Sequence, residues 1–273
     1  MASNKTTVYY AKSLSDVLFH LKTIPQLKIY GGCTASEKLA HSSLIISKIN
    51  DFLLIDKHEH FIEFGAGVTL SQILNLGKKR IPAVLFEAAE SIAYPFIRNA
   101  ATIGGNICAE GIKHTLYAPL LALDSQLEIQ SPSNSGIIPL MKFHAVPDSC
   151  MISRIRIPSE EWDIAIFRRT GPENVLSDAS ASFTFLANTQ KGILSDLRIA
   201  FCGLVSIRSK ELENNLIGTK LPLSDKAIQT MLAEAYSAFT DKAAGIKDKN
   251  EVLSLLKAQF LNLLSDSLSM LTL

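Results

Sequence analysis

Ile97-Arg98-Asn99-Ala100-Ala101-Thr102-Ile103-Gly104-Gly105-Asn106-Ile107 is the most informative stretch of this 273-residue chain. From Thr102 to Asn106 it sets a hydroxyl, two adjacent glycines and a carboxamide within one turn of backbone. Glycine carries no Cβ, so a pair of them lets a ligand reach the main chain, and the flanking Thr102 and Asn106 add side-chain hydrogen bonds. The pattern predicts a turn that offers a phosphate or a flavin bare amides at Gly104 and Gly105. A plain strand-to-loop turn accounts for the glycines, but it does not require Thr102 and Asn106 around them.

Two further glycine turns lie upstream. Ile29-Tyr30-Gly31-Gly32-Cys33-Thr34 follows a short apolar strand and exposes consecutive N–H groups, as a nest around a pyrophosphate needs; a tight turn without a ligand has the same sequence. Gly65-Ala66-Gly67-Val68-Thr69 matches half of a dinucleotide fingerprint, but Leu70 stands where the third glycine belongs. Here a strand-to-helix turn capped by Thr69 is expected.

Working outward, Ser13 with Asp16 and Thr69 with Gln72 predict capping boxes, the first opening a helix over about 14–23. Leu44-Ile46 and Phe52-Ile55 read as strands, which makes the first ~55 residues a small α/β unit. Phe61-Phe64 and the stretches near Leu127-Gln130, Ile137-Leu140 and Met151-Ile157 read as strands of a second unit, with Pro82 starting a helix that runs to about Ser91. Pro158-Ser159-Glu160-Glu161 marks a boundary. Beyond it, Ile164-Arg168, Ala181-Ala187 and Leu194-Leu204 read as strands, the last two joined through Asn188-Thr189-Gln190-Lys191-Gly192. Helices Ser224-Phe239 and Glu251-Leu268 follow, each with a core-facing apolar stripe that includes Phe239 and Leu255 respectively. The expected division is a domain over 1–157, with subdomains of about 1–56 and 57–157, and a C-terminal domain over 158–273.

Composition excludes several functions. The chain is 47% hydrophobic and 19% charged, with a formal net charge of +1, which gives no electrostatic case for nucleic acid or an anionic membrane. Cys33, Cys108, Cys150 and Cys202 are too scattered to ligate zinc or an iron–sulfur cluster. His58 and His60 lack a third ligand nearby in sequence and read as a solvated pair. No nucleophile elbow of a hydrolase is present. The N-terminal residues lack the apolar run of a signal peptide, and no apolar stretch approaches the roughly 20 residues that span a bilayer, so a cytoplasmic location is expected.

The stretch 97–107 closely resembles the signature I-R-N-x-A-T-I-G-G-N-I of the FAD-binding medium subunits of molybdenum hydroxylases, the xanthine dehydrogenase and carbon monoxide dehydrogenase flavoprotein type. Gly31-Gly32-Cys33-Thr34 is similar to their first glycine turn, and Phe167-Arg168-Arg169-Thr170-Gly171-Pro172 to their Y-R-K-V-G-x-R strand. Ile199-Ala200-Phe201-Cys202-Gly203-Leu204-Val205 and Leu216-Ile217-Gly218-Thr219-Lys220-Leu221-Pro222-Leu223 resemble two later landmarks in the same order. The resemblance implies an α+β fold: a p-cresol methylhydroxylase-type FAD-binding domain of two α/β subdomains, then a C-terminal domain of antiparallel sheet and helices.

Carried over position by position, the resemblance implies that Ile29, Tyr30, Gly31, Gly32, Cys33 and Thr34 wrap the pyrophosphate of FAD. It likewise implies that Thr102, Gly104, Gly105 and Asn106 complete the phosphate and flavin contacts, that Cys108 lies near the isoalloxazine ring, and that Arg169 stands where a flavin-proximal lysine is usual. Two departures are visible. Thr115 occupies the position of a cofactor-holding aspartate and offers only a neutral hydrogen bond, and Glu173 replaces a basic residue. The implied function is an oxidoreductase subunit that relays electrons, without catalytic residues of its own for the hydroxylation. Its implied partners are a molybdopterin-binding large subunit and a [2Fe-2S] small subunit, with NAD or another molecule as the final electron acceptor. The competing reading, based on Thr115 and Glu173, is a scaffold or assembly subunit of such a complex that no longer holds flavin.

Overall fold

The computed structural model describes residues 6–35 and 38–272, in two compact units. The first consists of the described residues up to Ile81 with Ile92–Ala109 and Asp124–Glu160; the second, of Pro82–Ser91, Glu110–Leu123 and the described residues from Glu161 onward.

In the first unit the strands Thr7–Tyr10, Ser42–Ile45 and Lys28–Tyr30 form a parallel sheet in that order. Parallel neighbours need a crossover, and the helix Leu14–Thr23 supplies it, burying Val17 and Leu21 against Leu44, Ile46, Ile49 and Phe52. Its start follows the expected chemistry: the Asp16 amide donates to Ser13 Oγ, while the Asp16 carboxylate accepts from the Lys12 amide one residue earlier than a standard box would. The strand Thr7–Tyr10, with Tyr10 largely exposed, carries too little apolar patterning to have been read from sequence.

Phe52-Ile55 is not a strand. Asn50–Phe52 forms a 3-10 turn that turns Phe52 fully into the core, its carbonyl accepts from the Gly67 amide, and the strand begins at Ile55 and ends at Lys57. That strand opens a five-stranded antiparallel sheet in the order Ile55–Lys57, Phe61–Gly65, Met151–Pro158, Gln126–Gln130, Ser135–Pro139. Alternation decides its two faces. Ile62, Phe64, Leu127, Ile155 and Ile157 point to the core, each contributing about 1.5–3 kcal/mol by burial, and Glu63, Glu128, Arg154 and Arg156 take the opposite face.

The second unit is built on an antiparallel sheet ordered Ser206–Ile207, Ile193–Cys202, Ala181–Gln190, Ile164–Thr170. Its long hairpin turns through only Lys191 and Gly192, whose φ values of 52° and 73° give the backbone hand that suits a two-residue connection. The strands therefore run on through Thr189 and Gln190, which the residue types alone had placed in the turn. Helices Asp225–Ala243 and Asn250–Ser269 cover one face, with Phe183, Phe201, Phe239 and Phe260 meeting at centroid distances of 5.2–6.5 Å. The apolar stripes pack as expected except at Leu255, which is exposed while Leu256 takes the core. Two short helices from earlier in the chain, Ala83–Glu90 and Tyr117–Ala122, rest on strands of this sheet.

Candidate functional site

Three glycine turns, separate in sequence, meet in the first unit. The strand Lys28–Tyr30 ends where the Tyr30 carbonyl accepts from the Ile46 amide, and Gly31, Gly32 and Cys33 turn away from the sheet with Cys33 at a φ of 55°. The loop that follows is tied back by the Tyr30 hydroxyl, which accepts from the Ala40 amide at 3.0 Å. Among the described residues, the amides of Gly31, Gly32, Cys33 and Thr34 donate to no protein acceptor. Consecutive open N–H groups around a left-handed residue are the kind of backbone from which anion-binding nests are built. Burial pushes the Cys33 thiol above its ordinary range, so it stays protonated and adds no negative charge there.

The turn Gly65–Thr69 is the platform for the others. Its amides at Gly65, Ala66 and Gly67 donate to the carbonyls of Leu54, Ser153 and Phe52, and Thr69 caps the helix Leu70–Asn75 in a reciprocal box with Gln72, as expected. Two of the turn's carbonyls then hold the third turn, with Ile103 donating to Val68 and Gly104 to Ala66, and the Leu70 amide donates back to the Ala101 carbonyl, each at 3.0 Å. Thr102 starts the helix Ile103–Cys108 by accepting the Gly105 amide at 3.1 Å.

Bare amides are thus found at Gly31–Thr34 and not at Ile103, Gly104 or Gly105, whose N–H groups the protein itself uses. The reason for the second glycine pair is also different from a ligand's need alone. A Cβ on Gly104 would stand 2.7 Å from the Ala66 carbonyl oxygen, so this glycine allows two backbones to touch. Gly31 and Gly32 serve the same end, since side chains there would run into Thr102 Oγ1 and the Ala100 carbonyl. Gly105 differs: its missing Cβ meets only Thr102 Oγ1, at 3.0 Å.

Around this junction, the Arg98 guanidinium holds the carbonyls of Ile92 and Ala93 at 2.9 and 2.8 Å, and Asn99 Oδ1 accepts from the Ser71 hydroxyl at 2.6 Å. The Ser71 contact had no signal in the sequence, because nothing in the order of residues brings 71 to 99. Asn106 is buried and Cys108 is exposed at the end of its helix.

Thr115 and Arg169 belong to the second unit. Thr115 lies in the turn that leads into Tyr117–Ala122, beside His114, whose pKa is lowered by burial and by the Lys113 charge and whose imidazole is therefore neutral at pH 7. Arg169 spends two guanidinium N–H groups on its own loop, donating to Pro172 O at 2.7 Å and Val175 O at 3.0 Å. His58 stacks on Phe61 at 4.3 Å and His60 is exposed. Among the described residues no group of three metal-ligating side chains converges, and no helix is long and apolar enough to cross a membrane.

Residues 4–160 match the model of the family described as the FAD binding domain in molybdopterin dehydrogenase. The chain is 27% identical over 254 residues to the xanthine dehydrogenase FAD-binding subunit of Escherichia coli O157:H7, covering 85% of each chain. With the nicotine 6-hydroxylase medium subunit of Paenarthrobacter nicotinovorans it shares 26% over 251 residues, 84% of this chain and 86% of that protein. In fold it is similar to a chain of carbon monoxide dehydrogenase from Hydrogenophaga pseudoflava, with a TM-score of 0.85, 16% identity and coverage of 98% and 97%. With more than half its length matched by the family's own pattern, the chain belongs to the FAD-binding domain family of the molybdopterin dehydrogenases.

Proposed function

We propose that this chain is the flavin-carrying subunit of a molybdenum hydroxylase of the xanthine dehydrogenase and carbon monoxide dehydrogenase type, and that it relays electrons from iron–sulfur clusters of a partner to an external acceptor. The observation that carries the reading is the set of four unengaged amides at Gly31–Thr34, held against Thr102 and Ala100. Consecutive N–H groups with no acceptor among the described residues suit the oxygens of an FAD pyrophosphate, and the glycines at 31 and 32 let the turn sit against Thr102 and Ala100.

In this reading Ile29 and Tyr30 deliver the turn, and Gly31, Gly32, Cys33 and Thr34 bind the pyrophosphate through their amides. Thr102 props that turn from behind. Gly104 keeps the 101–106 backbone seated on Ala66, and Gly105 and Asn106 present the open side toward the cofactor. Cys108 completes the set within the first unit, and in the second unit Arg169 places positive charge on the Gly171 loop. The bound FAD supplies the redox chemistry, while the protein orients it and sets the local electrostatics. The partners are a molybdopterin-binding large subunit and a [2Fe-2S] small subunit, the acceptor is NAD or another oxidant, and the complex works in the cytoplasm.

The test is purification of the chain with whatever copurifies, followed by acid precipitation and anaerobic mixing with purines and aldehydes. FAD is expected in the supernatant, and bleaching of the flavin is expected only when the partner subunits are present. A colourless chain would favour the scaffold, and bleaching without partners would make the chain a self-sufficient flavoenzyme.

A further inference from the structure

A cavity of about 340 Å³ in the first unit lies over the polar face of the five-stranded sheet, and no residue of the three glycine turns lines it. Its floor is unusual in its pairing. Glu128 and Arg154 are direct partners on adjacent antiparallel strands, so their Cβ atoms stand about 4.5–5.5 Å apart on the same face, where opposite charges ordinarily join. Here they do not. Glu128 Oε2 accepts the Ser153 hydroxyl at 2.6 Å, leaving Oε1 unengaged. Arg154 reaches away to Glu63 and Asp56, with Nη1 contacts of 3.4 and 3.5 Å, at the long limit for hydrogen bonds. Glu63 is already matched by Arg156, whose Nε and Nη2 both donate to Oε1 at 2.9 and 2.7 Å. On the same wall the Gln130 Oε1 atom is sealed from solvent and has no hydrogen-bond partner among the described residues, a condition that costs about 1–3 kcal/mol.

We infer that this cleft is a binding site for a small zwitterionic amino acid, distinct from the flavin cradle, whose carboxylate is taken by Arg154 and whose ammonium is taken by Glu128. The charges select the class. Asp51, Glu63 and Glu128 line the cleft with Arg154 and Arg156, so a simple anion meets an excess of carboxylate and a simple cation meets two guanidinium groups. A molecule carrying both signs fills the gap that the unjoined pair leaves.

Two backbone hydrogen bonds link the strand under the cleft to the cradle. The Ser153 carbonyl on the cleft side accepts from the Ala66 amide at 2.9 Å, and the Ala66 carbonyl accepts from Gly104 at 3.0 Å.

L-Glutamine is the probe, titrated into the full chain by calorimetry, with two matched controls: 4-carbamoylbutyrate, which lacks the ammonium, and 4-aminobutanamide, which lacks the carboxylate. Glutamine is expected to bind, each control to bind at least about tenfold more weakly, and Arg154→Gln and Glu128→Gln each to weaken glutamine by about tenfold or more, the loss of one good charge contact. Circular dichroism and thermal melts, both expected to match the parent protein, establish that the variants are folded. No heat from glutamine at about 10 mM, where even a millimolar site would be largely filled, would overturn the inference. Equal binding by either control, or indifference of both variants, would do the same. None of these readouts depends on the flavin, so the outcome is independent of the relay function proposed above.

Discussion

Thr102 occupies the space that a side chain on Gly31 would need, so two residues 71 positions apart in sequence share one small volume at the centre of the site. The same threonine oxygen accepts the Gly105 amide and caps its helix. Shape and hydrogen bonding at Thr102 therefore act on both glycine turns. Gly31→Ala is expected to push Thr102 aside and lower both thermal stability and flavin content, whereas Thr102→Ala costs about 1 kcal/mol through the lost cap and leaves room at Gly31. The double variant Gly31→Ala/Thr102→Ala should recover part of the stability lost by Gly31→Ala. Strict additivity of the two losses in thermal melts would show that the two residues do not compete for that volume.

Gly104 and Gly105 are adjacent but should respond differently. Gly104→Ala sets a methyl 2.7 Å from the Ala66 oxygen and 2.8 Å from its Cβ, and a clash of that kind costs about 1–3 kcal/mol. Gly105→Val meets only the Thr102 hydroxyl at 3.0 Å and projects otherwise into open space, so the protein is expected to stay folded while flavin is lost. Ile103→Ala, at a fully buried position, is expected to cost about 2–5 kcal/mol. Melting temperature and flavin-to-protein ratio, measured together on the three variants, separate packing from cofactor approach. A folded Gly105→Val protein with full flavin would remove that residue from the site.

How much of this was legible beforehand depends on the range of the interaction. Helix Leu14–Thr23 and the Thr69/Gln72 box were readable because a cap and its stripe lie within one or two turns of chain. The 97–107 stretch was recognisable as a signature, and the pairing of Thr102 with Asn106 around the glycines already suggested a ligand. What the sequence hid was which amides stay free. The amides of Ile103, Gly104 and Gly105 are consumed by Val68, Ala66 and Thr102, and the first two of those acceptors lie over thirty positions away. Phe52 was misread for a related reason: an apolar β-former fits a strand pattern, but its carbonyl is claimed by Gly67 and its ring by the core, which a 3-10 turn satisfies and a strand does not.

In the second unit, Arg208 and Glu213 form an ion pair whose side chains are only 2% and 5% exposed. Glu213 Oε1 also accepts the Ile199 amide at 2.9 Å, and Arg208 donates to the Leu121 carbonyl, which ties the 110–123 segment to the sheet. Glu213→Ala strands a buried guanidinium and is expected to cost about 3–5 kcal/mol in chemical denaturation. The double replacement Glu213→Leu/Arg208→Met should cost less than Glu213→Ala alone, because no charge is left unpaired. A smaller loss in the single variant than in the double would contradict this account.

Cys202 lies fully buried in the sheet, and desolvation pushes its thiol up to about 12 from the ordinary value near 9. The neutral form is favoured in the folded state. Its contribution to stability is therefore complete below about pH 9, where the unfolded thiol is also neutral, and is lost progressively as pH rises from 9 toward 12. Cys202→Ala is expected to flatten the fall in stability over that window relative to the parent protein. In native protein at pH 8 a thiol reagent should label exposed Cys108 promptly and leave Cys202 untouched until the chain unfolds. Rapid modification of Cys202 in folded protein would mean that the sheet opens far more readily than its packing implies.

Arg169 has a structural task that its place in the sequence did not show. Its position in the sequence suggested a cation held near a flavin, yet its guanidinium donates to Pro172 O and Val175 O on either side of Glu173 and so clamps the loop that leaves Gly171, where φ is 94°. Burial holds its pKa below the usual guanidinium range while the Glu173 charge acts in the opposite direction, and at pH 7 it remains positive. Both tasks can coexist, because the charge persists whatever the N–H groups bind. The two are separable by substitution. Arg169→Lys keeps the charge but cannot span two carbonyls with a planar fork, so it is expected to loosen the 171–178 loop, seen as faster amide exchange and proteolysis, while leaving the flavin potential close to that of the parent. Arg169→Ala loses both and is expected to loosen the loop and lower the potential, since a nearby positive charge favours the reduced, anionic flavin. Lys247→Ala, at an exposed position, serves as the distant control. If Arg169→Ala and Lys247→Ala leave the potential equally unchanged while only the former frees the loop, Arg169 is a loop clamp and the flavin's electrostatic partner lies elsewhere.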